Sequence, residues 1–110
     1  VKQIGKQNDL LIVVYGHIGD GNLHPNIICD RRDANMMKRV ELAAHAIFEA
    51  ALELGGTISG EHGIGLLKTG YVSKAIDPIA LGLMESIKKI FDPNGIMNPG
   101  KKLPGSSQAW

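Results

Sequence analysis

Two short glycine-rich stretches hold the residues that could do chemistry. The first reads Gly16-His17-Ile18-Gly19-Asp20-Gly21-Asn22-Leu23-His24. Its histidines stand seven apart, which on a helix would put them two turns apart on one side, but three glycines in the run disfavour a helix. On a hairpin, the end of one strand lies beside the start of the next. Both imidazoles can then face one point, as a metal ion requires. The plain alternative is a tight turn in which Asp20 and Asn22 bond their own backbone and the histidines have no joint task.

The second stretch reads Ser59-Gly60-Glu61-His62-Gly63-Ile64-Gly65. Adjacent side chains on extended backbone point to opposite sides, so Glu61 and His62 can serve neighbouring centres. Two histidines and a carboxylate are a common donor set for a divalent ion with open positions. His62 beside such a site is a candidate base, because imidazole exchanges its proton near neutral pH. Against this stands a capping glutamate and an exposed loop histidine. A phosphate cradle is a weaker reading, since Gly60-x-x-Gly63-x-Gly65 is not the dinucleotide spacing and no Lys-Ser/Thr follows.

The remaining reactive side chains read as ordinary. His45 falls off the apolar face of its segment, Cys29 reads as a small strand or core residue, and Met36-Met37 reads as packing. Arg31-Arg32 suits a solvated loop, and Asn98-Pro99-Gly100-Lys101 a simple turn.

The elements that must carry these residues follow from periodicity. Leu10–Tyr15 is a short apolar, β-branched run and reads as a strand. Leu23–Cys29 alternates loosely and reads as a second, with Pro25 pointing to an edge or a bulge. A glycine-rich turn between them suggests a hairpin. Asp33 can cap a helix whose face carries Ala43, Ala44, Ile47, Phe48, Ala51 and Leu54 and which Gly55-Gly56 stops. Asp77-Pro78 opens another, running to about Phe91 with Ile79, Leu83, Ile87 and Ile90 on one face. Asp92-Pro93-Asn94-Gly95 is a turn, and the tail from Asn98 to Trp110 is expected to be extended and loosely held.

Composition narrows the function classes. With 110 residues, 44% hydrophobic and 21% charged, the chain suits one small folded domain rather than a disordered segment. A net charge of +1 gives no electrostatic case for nucleic acid or an anionic membrane. No apolar run is long enough to span a bilayer. The single cysteine excludes an internal disulfide framework. Glycine supplies 14 residues, about twice the ~7% average, and eight of them fall within residues 16–21 and 55–65. The chain opens at Val1-Lys2-Gln3 without Met, and we expect a piece of a longer protein.

Three motifs taken in order resemble a known family. Gly-His-x-Gly-Asp-Gly-Asn-Leu-His from Gly16, Gly-Glu-His-Gly-Ile-Gly from Gly60 and Phe-Asp-Pro-Asn-Gly-Ile-Met-Asn-Pro-Gly-Lys from Phe91 are similar to the C-terminal end of the FAD-linked D-2-hydroxy-acid dehydrogenases. These belong to the vanillyl-alcohol-oxidase superfamily and include D-lactate dehydrogenase, D-2-hydroxyglutarate dehydrogenase and the related component of glycolate oxidase. The likeness runs from about Leu10 to Leu103.

The resemblance implies an α+β fold, the C-terminal piece of an α/β cap (substrate) domain: a β-hairpin, two main helices and an extended tail returning to the FAD domain. It implies that His17, His24 and Glu61 bind a divalent metal, zinc by preference, and that His62 takes the substrate hydroxyl proton. Asn26 falls where some relatives contact substrate, and Asn98 falls near the flavin. FAD would be held mainly by a domain outside these residues, so the 110-residue chain alone is expected to be inactive. The expected partner is a small 2-hydroxy acid, with the electron acceptor unspecified and self-association of the chain allowed for. The compartment would be mitochondrial in a eukaryote, and cytoplasmic or peripheral to the membrane in a bacterium. Two other readings compete: a non-catalytic protein-interaction module, for example one that binds a cytoskeletal filament, and a metal-dependent hydrolase, which lacks a His-Glu-x-x-His.

Overall fold

The structure is a computed structural model that describes residues 1–104. Where composition argues for one domain, the chain divides into two compact units, Val1–Glu61 and His62–Trp110.

The first unit opens with a short helix, α1 (Lys2–Gln7), that periodicity does not announce. Its backbone is closed by Gly5 N–H donating to the Val1 carbonyl at 3.0 Å, and the Leu10 N–H returns to the Gly5 carbonyl at 2.9 Å. Two strands follow, β1 (Leu11–His17) and β2 (Asn22–Ile28). They pair antiparallel in the register Leu11↔Ile28 to His17↔Asn22. The hairpin is the expected one, displaced by a residue or two at its ends. Pro25 lies within β2 opposite Val14, in a two-stranded ribbon where every strand has an outer edge that needs no ladder donor.

Helix α2 (Ala34–Glu53) starts as the sequence dictates. The Asp33 carboxylate accepts from the Asn35 and Met36 amides at 2.9 and 3.0 Å, satisfying two of the orphan donors of a first turn. Arg39 ties α2 to the α1–β1 connection, donating to the Asp9 carboxylate at 2.8 Å and its carbonyl at 3.2 Å. The helix ends in a Schellman arrangement. Gly55, at φ +76°, donates to the Leu52 carbonyl, and Gly56 donates to that of Ala51. Ala43 and Ile58 are buried, so the unit's small core includes α2 and the loop after it.

The second unit holds a 3-10 turn at Thr69–Tyr71 running into α3 (Val72–Ala75), then α4 (Pro78–Phe91). Asp77 caps α4 with Pro78 at its first position, and its carboxylate accepts from the Ile79 and Ala80 amides. Val72 and Leu103 are the buried apolar side chains here. The α4 stripe Ile79, Leu83, Ile87 and Ile90 is 56–77% exposed, and the half-buried positions are Leu81, Met84 and Lys88. Lys88 turns inward because Asp92, itself buried, and the Met97 carbonyl accept from its ammonium.

Where composition argues for an extended tail, residues 98–104 turn: φ is positive at Asn98, Gly100 and Lys102, and Lys102 N–H reaches the Gly65 carbonyl at 3.0 Å. The rest of the expected tail lies outside the described residues. Among the described residues the architecture is α+β, a hairpin with two main helices and two short ones.

Candidate metal centre

Side chains alternate along a strand. In the observed register, Tyr15 and His17 therefore share a face of the ribbon with Asn22, His24 and Asn26. His17 and His24 are diagonal neighbours, and their rings meet edge to face with centroids 5.4 Å apart and planes at 83°. Tyr15 lies directly opposite His24, also with centroids 5.4 Å apart.

Gly16 lets the strands close at this end. A β-carbon there would stand 2.2 Å from the Asn22 carbonyl oxygen and 2.9 Å from the Leu23 Cα. The connecting loop is set by its own bonds. The Asp20 and Gly21 amides both donate to the His17 carbonyl, and the Asp20 carboxylate accepts from the Asn22 amide at 3.0 Å. So the local bonding of the plain turn reading is present, and the histidines converge as well.

Glu61 arrives from the loop that follows α2. Its Oε1 lies 3.3 Å from His24 Nε2 and its Oε2 3.7 Å from His17 Nε2. One donor atom from each of the three side chains falls within 4.8 Å of the others. Four ligands at Zn–N and Zn–O lengths around a tetrahedral ion stand about 3.4 Å apart, so this donor set and spacing fit a borderline divalent cation. His17 and Glu61 are exposed while His24 is half-buried, which leaves the outer side of the cluster accessible to a further ligand.

The other predicted residues are placed as follows. Asn26 is exposed on the ribbon face that carries both histidines, and its amide donates to the His24 carbonyl at 3.0 Å. His62 follows Glu61 in the chain and is an exposed residue of the second unit. Asn98 belongs to that unit too; it is exposed at φ +49°, and its side-chain oxygen accepts from Lys101 Nζ at 3.4 Å. His45 is exposed and pairs with Glu49 one turn on at 3.8 Å. Arg32 folds back onto Asp30 in a two-bond ion pair.

Two features escape sequence reasoning. Tyr15 beside His24 carries a signal that could have found it, since it stands two residues before His17 on the same strand. The clip at Asp92 carries less: its carboxylate accepts from Lys88 and from the Ile96 and Met97 amides. The Lys88 bond, helped by those amides, holds the Asp92 carboxyl below the usual carboxylate range against the opposing effect of burial.

Comparison with known proteins agrees with the motifs. The chain is 46% identical over 101 residues to glycolate oxidase subunit GlcD of Bacillus subtilis (strain 168), covering 92% of this chain and 22% of that protein. It is 43% identical over 95 residues to D-2-hydroxyglutarate dehydrogenase of Stutzerimonas stutzeri (strain A1501), covering 84% and 20%. It is 42% identical over 97 residues to D-lactate dehydrogenase [cytochrome], mitochondrial, of Arabidopsis thaliana, covering 88% and 17%. The chain thus spans about a fifth of the length of the curated relatives it matches. Among the described residues no helix is long and apolar enough to cross a membrane. Residues 1–102 match the family described as FAD linked oxidases, C-terminal domain, and the chain belongs to that family.

Proposed function

We propose that this chain is the metal- and substrate-handling segment of a flavin-dependent enzyme that oxidises a D-2-hydroxy acid to the 2-oxo acid. The observation that carries the reading is the convergence of His17, His24 and Glu61 on one point. The names of the relatives, which refer to glycolate, D-lactate and D-2-hydroxyglutarate, support the substrate class. His17, His24 and Glu61 would hold a divalent ion, zinc by preference, which would lower the pKa of a hydroxyl and fix its orientation. FAD, which the remainder of the enzyme together with Asn98 of this segment would hold, would supply the two-electron acceptor for the substrate's hydride.

The chain's own residues do the rest. An imidazole nitrogen of His62 takes the hydroxyl proton, since it follows a ligand in sequence and is not itself in the ligand set. The Asn26 amide, on the ligand face, orients the substrate oxygens. In a flavoprotein that carries this segment, His62→Ala is expected to abolish turnover while bound zinc and FAD stay at their unaltered stoichiometry. Near-normal turnover in that variant contradicts the base role.

A further inference from the structure

A glycine stands immediately before the ligand carboxylate, and its surroundings are unusual. A β-carbon built on Gly60 would lie 2.2 Å from Asn22 Oδ1, 2.5 Å from its Cγ and 2.9 Å from its Nδ2. The three nearest atoms all belong to one side-chain amide. Gly60 is not among the residues with positive φ, so its backbone conformation is open to alanine. A methyl here would therefore have to displace the Asn22 side-chain amide from its present place beside the loop.

The backbone of Asn22 is held at two points. It pairs with His17 in the hairpin register, and its backbone amide is held by the Asp20 carboxylate. Earlier in the loop, buried Ile58 provides an anchor. Gly60, the residue before Glu61 in the chain, thus lies against Asn22 of the hairpin that carries both histidines.

We infer that Asn22 is a positioning residue for Glu61: its amide, laid against the bare Cα of Gly60, sets the loop at the height where the carboxylate reaches both imidazoles. The inference rests on the metal reading above and adds to it a residue outside the ligand set. Groups that orient ligands typically change metal affinity about 10- to 100-fold when removed.

The test is zinc calorimetry on the 110-residue chain and on Asn22→Ala, Gly60→Ala and the double variant. Each single change is expected to weaken zinc binding about tenfold or more. The double variant is expected to bind no more weakly than the weaker single, because both changes remove the same contact. Gly60→Ala alters a loop residue outside the hairpin, so it reads the contact even where Asn22→Ala unfolds the hairpin; backbone amide spectra without metal separate the two cases. Singles within about twofold of the unaltered chain, or losses that multiply in the double variant, overturn the positioning role and leave the metal reading standing. An unaltered chain that binds no zinc overturns the metal reading and this inference with it.

Discussion

Gly16 and Gly19 lie three residues apart in the same motif and are predicted to respond in opposite ways to the same change. At Gly16 an added methyl meets the Asn22 carbonyl and the Leu23 backbone, whereas at Gly19 it meets nothing within 4 Å. Gly16→Ala is expected to destabilise the hairpin by about 1–3 kcal/mol through overpacking against backbone that cannot swing aside. Gly19→Ala should fall within about 0.5 kcal/mol. Urea unfolding of the two variants checks this, and equal losses would refute the close-approach argument. At this scale the sequence points to the three side chains that converge and is silent about what supports them. His17, His24 and Glu61 are legible because their residue types are chemically distinctive and a hairpin brings the two histidines together. The demand on Gly16 comes from neighbours whose position only the folded chain fixes.

At the level of elements, local signals succeed where the cause is local. Asp33, Asp77-Pro78 and Gly55-Gly56 mark helix ends through bonds made within a few residues, and those ends are found where they are expected. Helix α1 is missed because it has no apolar period of its own. The α4 stripe is legible as a pattern, but the pattern does not say what covers it, and here the inward position is taken by Lys88 on behalf of Asp92. That clip carries a prediction. A carboxyl held below its ordinary value contributes stability that is fully present above the unfolded value of about 3.9. The contribution is lost as pH falls through the lowered folded value. The Ile96 and Met97 amides, which donate to Asp92, are therefore expected to keep their hydrogen-exchange protection at neutral pH and to lose it only below about pH 4. Asp92→Asn should lose part of that protection at neutral pH. Amide-resolved exchange across pH checks both, and protection unchanged down to the lowest pH would contradict the clip.

For the whole chain, the composition argument for a single domain meets a structure of two compact units. Many apolar residues of α4 and of the hairpin, among them Leu11, Val13, Leu23 and Ile79, are exposed. Helix and strand patterns are legible because periodicity is local, whereas what packs against an apolar face is not written in that periodicity. What the chain does carry in full is the set of three donors, each within its first unit. The most direct measurement of the proposed function is thus zinc titration of the 110-residue chain by calorimetry, repeated on His17→Ala, His24→Ala and Glu61→Gln, with His45→Ala and His62→Ala as controls. The prediction is one zinc per chain, affinity lowered at least about 100-fold by each ligand change, and both controls within about twofold of the unaltered chain. Zinc binding that survives all three ligand changes, or that is lost with His45 instead, would contradict it.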